Sequence, residues 1–328
     1  MLTIIIPVYN VEKYLRECLD SVLVNNKFTG QVVCVNDGST DGSGKILDEY
    51  AAKYTNVEVY NQANQGQSLA RNEGLMHANG DYILYLDSDD YYYDHAIGYM
   101  QGLAKKHPDV DFFYIDCIET NGKRFYTLPY AEPVKMSLKD YYDYEYAQVG
   151  TTPIGGVWSG MFKREFLEKN HLQMLPGCRY EDELFVMEVF AQEGTCIAMH
   201  IDKPYYYYRI GREGATTAKD TLTHYFDRRK IVHGCYNVIK ERGLMTKARK
   251  HKVFTLCEEN VLRAYLNGFK KDIRKFFGKE DLQIMEACAI NERDRKLCRL
   301  ANLSPRLMAA YRTENLLPFV RRMINKFL

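Results

Sequence analysis

Short apolar runs alternate with helical patterns through the first 120 residues, and this alternation restricts the possible folds more than any other feature. Five runs rich in Ile, Val and Tyr have the length and composition of buried strands: residues 3–8, 31–35, 56–60, 82–86 and 110–116. Between the first two runs, positions 11, 14, 15, 18, 19 and 22 form an apolar stripe with helical spacing. The pattern predicts an α/β fold whose mostly parallel sheet has helices on both faces, with ligands bound beyond the carboxyl ends of the strands.

The second half of the chain changes character along its length. The tyrosine- and proline-containing stretch 121–160 predicts irregular structure, 165–170 and 181–192 predict helices, and 195–207 predicts a strand and a turn. Only helical patterns follow from about residue 222. We therefore predict two domains, a sheet-based domain over 1–220 and a helical C-terminal region over 221–328.

Charge differs sharply between these regions. Residues 1–224 hold 20 Lys and Arg against 32 Asp and Glu, a balance of −12, whereas residues 225–328 hold 24 against 11, a balance of +13. The acidic first region argues against a nucleic-acid ligand, because such ligands are bound by excess positive charge. The basic second region favours an anionic partner, either a membrane surface, a polyanion or the acidic first region itself.

Cellular location is predicted from three further features. No apolar run approaches the roughly 18 residues that a membrane-spanning helix needs. The opening residues, MLTIIIPVYN, lack the basic start and cleavage site of a secretion signal. The nine cysteines are scattered without a CxxC pair, which is typical of reduced thiols and of neither a disulfide framework nor a zinc site. We expect a cytoplasmic protein.

Polar clusters follow the first two predicted strands. The first is Pro7-Val8-Tyr9-Asn10, a set that is also typical of a turn that opens a helix. The second, at 36–42, places Asp37 at the end of its strand, where a carboxylate can accept hydrogen bonds from a pyrimidine imide or a ribose hydroxyl. A glycine turn with a helix cap explains Ser39, Thr40 and Asp41, but it does not explain Asp37. The segment lacks GxGxxG, so a dinucleotide-binding loop is poorly supported.

A third cluster lies at 80–90, where a predicted buried strand is followed by three carboxylates within four consecutive residues. Asp87 and Asp89 share one face of an extended chain and can therefore aim at one point. Two anions held together favour a cation, and oxygen ligands select Mg²⁺ or Mn²⁺. The alternative is an acidic loop that caps a helix starting near Asp94.

A fourth cluster and one arginine complete the candidates. In Tyr180-Glu181-Asp182-Glu183-Leu184-Phe185 three acids precede an apolar periodic stretch, as any helix N-terminus prefers, and the functional alternative is a general base that faces an acceptor. Arg71 is the only basic residue between Lys53 and Lys105, histidines aside, on a predicted helix starting near Gly66. It can hold a phosphate or a base carbonyl, or merely offset the neighbouring acids.

Together these clusters resemble glycosyltransferase family 2, the inverting, nucleotide-sugar-dependent enzymes of GT-A fold. The matching strings, in the order and spacing of the family, are PVYN at 7–10, VNDGSTDGS at 35–43, NQGQSLARNEG at 64–74, GDYILYLDSDD at 80–90 and EDELF at 181–185. They span about 190 residues, and five in order are far more specific than any one alone.

The resemblance implies a role for each matching residue. Pro7, Tyr9 and Asp37 would surround the nucleoside, and Arg71 would approach its base or phosphates. Asp87 and Asp89 match the DxD motif, with Asp89 as the direct metal ligand and Asp87 nearer the ribose. Asp182 matches the catalytic base. Trp158 and Glu181 fall on the acceptor side, although a core position is the alternative for the tryptophan.

The resemblance also implies the reaction. One sugar would pass with inversion from a nucleotide-sugar, with UDP favoured, to a hydroxyl of a glycan or lipid-linked acceptor in polysaccharide, capsule or O-antigen assembly. The QxxRW string of processive family members is absent, which favours single transfers. A sugar nucleotidyltransferase would need a basic glycine-rich loop that residues 1–12 do not have. A catalytically inert sugar-binding protein is disfavoured by the presence of both Asp89 and Asp182.

The last fifteen residues, 314–328, form an amphipathic pattern. A wide apolar face lies beside Arg321, Arg322 and Lys326 and consists of Leu316, Leu317, Val320, Met323, Ile324, Phe327 and Leu328. This composition is typical of a helix at the surface of an anionic membrane. The alternative is packing on the helical region or on a second subunit in a homo-oligomer. We expect partial, salt-sensitive membrane association.

Overall fold

The structure is a computed structural model that describes residues 1–116, 118–120, 123–125, 133–150, 156–200, 205–211 and 220–313. The chain divides into two compact units. The first comprises residues 1–141, 154–177 and 188–215, and the second comprises 142–153, 178–187 and 216–328. The units thus alternate along the chain, whereas the sequence pattern predicts a single boundary near 220. The amphipathic segment 314–328 lies outside the described residues.

Strands of the first unit form two sheets. In chain order the strands are β1 (Leu2–Val8), β2 (Gln31–Asp37), β3 (Val57–Gln62), β4 (Tyr82–Tyr85), β5 (Tyr91–Tyr92), β6 (Phe112–Asp116), β7 (Ile118–Thr120), β8 (Lys123–Phe125), β9 (Val134–Ser137), β10 (Gly160–Lys163), β11 (Thr195–His200) and β12 (Tyr206–Tyr207). Within the described ranges, the main sheet has eight strands in the order β3-β2-β1-β4-β10-β6-β11-β9, and a smaller sheet has the order β5-β12-β7-β8. The five strands predicted in the first 120 residues are confirmed.

The main sheet is parallel where the candidate residues lie. β1 pairs in parallel with β2 and β4, and β2 pairs in parallel with β3, whereas β10 and β9 run antiparallel to their neighbours. Val8 is in register with Asn36, and Ile5 is in register with Tyr85. The chain therefore leaves β1, β2 and β4 at the same edge of the sheet, as the pattern predicts.

Helices flank the sheet and make up the second unit. In chain order they are α1 (Glu12–Asp20), which continues into a π-helical turn at Ser21–Asn25, α2 (Ser43–Lys53), α3 (Gln67–His77), α4 (Ala96–Lys106), α5 (Leu138–Val149), α6 (Arg164–Lys169), α7 (Glu181–Val189), α8 (Leu222–Glu241), α9 (Lys247–Leu266), α10 (Ile273–Phe276), α11 (Lys279–Cys288), α12 (Glu292–Leu303) and α13 (Pro305–Arg312). The predicted apolar stripe of α1 is buried at Leu15, Cys18 and Leu19, which pack against the sheet. The exclusively helical nature of the chain after 222 is confirmed for the described residues.

The prediction of irregular structure over 121–160 is wrong for β9 and α5. Tyrosine has a modest helix propensity, so the sequence YYDYEYA gives little local signal for a helix. Yet Leu138, Tyr141, Tyr142 and Glu145 are all buried, and their spacing of three, four and seven residues is that of one helix face. Burial of that face outweighs the propensity of the individual residues.

The second unit has its own core. α9 buries Val253, Cys257, Val261 and Ala264, which lie on one face of the helix. At its start, the fully buried Arg249 donates to the carboxylate of Asp143 at 2.7 Å. No helix within the described ranges is both long enough and apolar enough to span a bilayer.

Candidate active site

The loops that leave β1 and β2 are fastened to each other. Asn10, which has a positive φ of 50°, accepts a hydrogen bond from the backbone of Thr40 at 2.8 Å, and its own N–H donates to Ser39. Asp41 accepts from the N–H groups of Glu12 and Ser43 at 3.0 and 2.9 Å. Side-chain hydrogen bonds of Asn10, Ser39 and Asp41 therefore join the two loops.

Pro7 and Tyr9 differ in exposure at this edge. Pro7 is buried in β1, whereas Tyr9, two residues further along, is 47% exposed. An exposed tyrosine ring at the end of a parallel strand offers a flat surface on which a base or a sugar can stack.

Asp37 organises the loop that leads into α3. Its carboxylate is 2% exposed and accepts from the side chain of Gln62 at 2.7 Å and from the N–H groups of Gln65 and Gly66 at 2.8 Å each. Gly66 has a φ of 90°, a conformation that favours glycine. Asp37 thus forms hydrogen bonds with other residues of the chain, and its predicted contact with a nucleoside remains a prediction.

Arg71 and Asp87 form the central ion pair of this edge. The guanidinium of Arg71, 3% exposed, donates through Nη2 to Asp87 at 2.5 Å and through Nη1 to the sulfur of Met174 at 3.9 Å. Asn72 anchors the same helix by a pair of 2.9 Å hydrogen bonds with the backbone of Met174. α3 therefore holds a buried positive charge at the end of β4.

Three carboxylates crowd the turn after β4. Asp87 and Asp89 are partly exposed, whereas Asp90 is buried and accepts from the Tyr206 hydroxyl at 2.8 Å and from the N–H of Arg209 at 2.7 Å. Burial, together with the negative charges of Asp87 and Asp89, raises the pKa of Asp90 well above its ordinary value. Burial is the main cause of this shift, and the two neighbouring carboxylates add to it.

This donor set fits a divalent metal ion. Asp87 and Asp89 are partly exposed and would supply hard oxygen donors, and a cation would offset the negative charge that they and Asp90 bring together. Among the described residues, no group of three or more His, Cys, Asp or Glu is arranged to hold a metal by itself. Water and substrate oxygens would therefore have to complete the shell, as is usual for Mg²⁺.

Arg209 is a site residue that the sequence did not single out. Its guanidinium donates to the backbone carbonyl of Asp89 at 2.7 Å and to Glu17 at 2.5 Å, and it lies 4.9 Å from the ring centre of Tyr14. The signal in the sequence is weak, since a single arginine after four tyrosines belongs to none of the motifs. The pairing of β12 with β5, the strand that follows the acidic turn, brings Arg209 beside that turn.

Trp158 packs in an aromatic cluster. Its partly buried indole stacks on Tyr206 and Tyr208, each with ring centres 5.5 Å away, and its carbonyl accepts from the hydroxyl of Tyr205. A side chain at Gly156 would collide with this ring, since its Cβ would lie 2.4 Å from the indole. The packing is sufficient to explain the tryptophan, and its predicted place on the acceptor side remains a prediction.

The remaining candidates lie at the start of α7, in the second unit. Glu181 is fully buried, and the partly buried Asp182 accepts from the N–H of Glu183 at 3.0 Å. Glu183 forms a 2.6 Å ion pair with Lys252. Although burial opposes the ammonium, this pair raises the pKa of Lys252 above its ordinary value. Asp182 thus stands at a helix N-terminus, a position that stabilises a carboxylate, and the charge of the adjacent Glu183 is paired with Lys252.

The fold and the acidic strand ends define the class of the protein. A mostly parallel sheet with flanking helices, a carboxylate pair after its fourth strand and a helical C-terminal region make the chain an α/β protein of GT-A fold. The sequence profile described as "Glycosyl transferase family 2" matches residues 3–170. The chain belongs to glycosyltransferase family 2.

Two glycosyltransferases are similar in sequence to part of this chain. The uncharacterized glycosyltransferase EpsJ of Bacillus subtilis is 31% identical over 214 residues, which cover 64% of this chain and 61% of EpsJ. The poly(ribitol-phosphate) beta-glucosyltransferase of Bacillus spizizenii is 46% identical over 95 residues, 27% of this chain and 15% of that protein. The chain thus spans less than two thirds of the length of these relatives.

A solved structure resembles nearly the full length of this chain. The crystal structure of residues 1–349 of S. aureus TarS in complex with UDP-GlcNAc has a TM-score of 0.66 and 24% identity, and the match covers 95% of this chain and 92% of TarS 1–349. This likeness supports the GT-A fold.

Proposed function

We propose that the chain is an inverting, metal-dependent glycosyltransferase that moves one sugar at a time from a UDP-sugar to a hydroxyl group during surface-polysaccharide assembly. The observation that carries the proposal is the meeting of Asp37, Arg71, Asp87 and Asp89 at one edge of the parallel sheet. Ligands of such sheets bind at that edge. TarS, which shares the fold, was crystallised with UDP-GlcNAc, and one relative is named as a glucosyltransferase of poly(ribitol-phosphate).

The donor half of the mechanism follows from charge. Tyr9 stacks on the uracil base, and Asp37 accepts a hydrogen bond from the base imide through its remaining lone pairs. Arg71 offers its guanidinium to the phosphates while it holds Asp87 towards the ribose. Asp89 and Asp87 would hold Mg²⁺ or Mn²⁺, which supplies positive charge to the departing diphosphate.

The acceptor half follows from proton transfer. Asp182 removes the proton from the acceptor hydroxyl while that oxygen forms a bond to the anomeric carbon from the face opposite the leaving group. The bond between the anomeric carbon and the phosphate oxygen breaks, UDP leaves with the electron pair, and the configuration inverts. The absence of the QxxRW string supports single transfers.

A screen of donors tests the proposal. Thermal unfolding is measured with UDP-, GDP- and dTDP-sugars, each with Mn²⁺ and with EDTA. A UDP-sugar at about 100 times its dissociation constant should stabilise the chain by about 2.7 kcal/mol in Mn²⁺ and much less in EDTA. Release of UDP on incubation with the same donor shows turnover. Stabilisation that EDTA leaves unchanged would contradict the metal dependence, and the absence of any nucleotide-sugar effect would contradict the donor.

The basic C-terminal region suggests where the protein works. Its balance of +13 over 225–328 supports a peripheral contact with the anionic inner face of the cell membrane, where a lipid-linked acceptor would be presented. Co-sedimentation with anionic and neutral vesicles, at low and high salt, compares the full chain with a truncation after Thr313. Binding that is indifferent to lipid charge would contradict this contact, and equal binding of the two chains would move it away from 314–328.

A further inference from the structure

The second unit contains a pocket of about 590 Å³ that none of the proposed donor residues enters. Its walls come from the turn before α7, from Asp220, from α8 and α9, and from Phe269. The volume falls within the roughly 300–1,000 Å³ typical of sites for small molecules. The pocket is partly open, since its lining residues Glu259 and Arg263 are exposed, so a ligand can enter it from solvent.

One wall of the pocket is a fixed polar network. Asp220 accepts two hydrogen bonds from the guanidinium of Arg228, at 3.0 and 3.1 Å, and a third from Asn267 at 3.0 Å. Arg228 also donates to the hydroxyl of Tyr180 at 2.6 Å and lies 4.2 Å from the centre of its ring. Tyr180 has a φ of 65°, which is unusual for an aromatic residue. The network therefore holds an aromatic ring and several hydrogen-bonding groups in place before a ligand arrives.

Part of the lining is apolar, and the charges of the lining residues almost balance. Ile231, Val232, Leu256 and Phe269 contribute hydrocarbon surface. Two arginines, 228 and 263, stand against three carboxylates, 183, 220 and 259, so the pocket has no excess positive charge for a phosphate or a diphosphate. Aromatic and aliphatic faces next to mixed donors and acceptors suit a neutral ligand with many hydroxyl groups, because its C–H face packs on the rings while its hydroxyls bond to the polar groups.

The pocket belongs to the same local structure as the candidate base. Tyr180 and Glu183, which line it, lie two residues before and one residue after Asp182 in the chain. A ligand in the pocket is thereby tied to the turn that would act on the acceptor.

We propose that this pocket binds a sugar unit of the acceptor glycan, at a distance along the glycan from the hydroxyl that reacts. The inference rests on the proposed transferase function and deepens it by assigning the acceptor a neutral sugar and a binding site. A polymeric acceptor has sugar units besides the one that reacts. Binding of one of these units in the pocket contributes affinity, although the unit takes no part in the bond changes.

Direct binding of simple sugars tests the proposal. The probes are the methyl β-glycosides of glucose, galactose and N-acetylglucosamine, observed by saturation-transfer NMR with the full chain and no nucleotide. Leu256→Trp fills the pocket, whereas Leu266→Trp places the same side chain at an exposed position outside the pocket. We expect at least one glycoside to bind the unaltered chain and Leu266→Trp equally, and to bind Leu256→Trp about tenfold or more weakly, which corresponds to about 1.4 kcal/mol.

A second pair of variants keeps the test decisive if Leu256→Trp does not fold. Glu259 and Arg263 are exposed lining residues, so the double variant Glu259→Gln, Arg263→Gln should fold and should weaken glycoside binding. Its control is Glu241→Gln, Arg274→Gln, which makes the same changes at exposed positions away from the pocket. Equal binding by both double variants, or no glycoside binding to the unaltered chain, would overturn the proposal.

Donor binding is measured on the same samples so that the two proposals can fail separately. Stabilisation by a UDP-sugar should be the same in Leu256→Trp, Leu266→Trp and the unaltered chain, because the pocket does not hold the donor. If the unaltered chain does not bind any UDP-sugar, the proposed function is contradicted. If the pocket variants bind the glycosides as tightly as the unaltered chain does, only the proposed acceptor site is contradicted.

Discussion

The guanidinium of Arg71 lies 2.5 Å from the carboxylate of Asp87, and this pair links helix α3 to the end of strand β4. Arg71 is almost fully buried, while Asp87 retains partial contact with solvent. A charge in that position is stable only while its partner remains, since a lone buried guanidinium is costly. The pair therefore has a structural role in the free protein and, in the proposed function, a second role towards the donor phosphates.

A double-mutant cycle separates these two roles. Arg71→Met should lower the free energy of unfolding by about 3 kcal/mol, because the substitution removes the partner of Asp87 and also the contact of Arg71 with Met174. The double variant Arg71→Met, Asp87→Leu should recover much of that loss, since no unpaired charge remains. Urea unfolding measures stability, and calorimetry measures UDP binding. We expect UDP binding to be weakened in both variants; recovery of UDP binding along with stability would show that the pair is structural only.

Asp89→Ala should abolish the Mn²⁺-dependent part of UDP binding while the fold survives. Asp89 is partly exposed, so its loss leaves no cavity in the core, but it removes an oxygen donor from the acidic turn. Asp94→Ala, an exposed aspartate a few residues further on, is the matched control. Calorimetric titration of UDP with and without Mn²⁺ gives the answer: if Asp89→Ala binds UDP and Mn²⁺ as tightly as the control, the metal assignment is wrong.

Asp182→Asn should keep donor affinity and lose about 10²-fold or more of the transfer rate, as expected when a general base is removed. The same substitution changes helix stability by no more than about 1 kcal/mol, since only one charge at a helix N-terminus is lost. Asp140→Asn, in the first turn of α5, makes an equivalent change at another helix start. Transfer and UDP affinity are measured for both. Equal transfer rates would reduce Asp182 to a helix-stabilising residue, and weakened UDP binding with unchanged turnover would assign it to the donor.

The sequence predicted the parts of the fold that depend on local pattern. The strands β1, β2, β3 and β4 have runs of Ile, Val and Tyr, and parallel pairing then brings their carboxyl ends to one edge without further information. Arg71 and Asp87 were both candidates, but their direct pairing was not predicted, because the rest of helix α3 and strand β4 lie between them in the chain.

The features that were missed depend on tertiary contacts. Helix α5 forms because its tyrosine face is buried, although its residues give little helical signal. Arg209 reaches the acidic turn through pairing of the short strands β5 and β12, each of two residues, which no periodicity can reveal. Asp90 appeared as one more acid in a motif, whereas the structure buries it against Tyr206. In each case the decisive contact joins residues that are far apart in sequence.

Asp220→Asn should destabilise the second unit and change how its stability depends on pH. Although burial opposes the charge, hydrogen bonds and the ion pair with Arg228 hold the pKa of Asp220 below its ordinary value. Because the folded pKa is depressed, the stabilisation is fully present above the unfolded pKa of about 3.9 and is lost as the pH falls through the folded pKa. We expect a loss of about 2 kcal/mol at pH 7 on substitution, less than for a fully desolvated pair because both partners keep some solvent contact. Asp272→Asn, which breaks a more exposed pair with Lys275, should cost less than about 1 kcal/mol.

Urea unfolding of the unaltered chain and both variants between pH 7 and acid pH checks this. The difference between the unaltered chain and Asp220→Asn should shrink as the pH falls below about 4, and a difference that stays constant across the range would show that Asp220 acts through its shape and neutral hydrogen bonds rather than its charge.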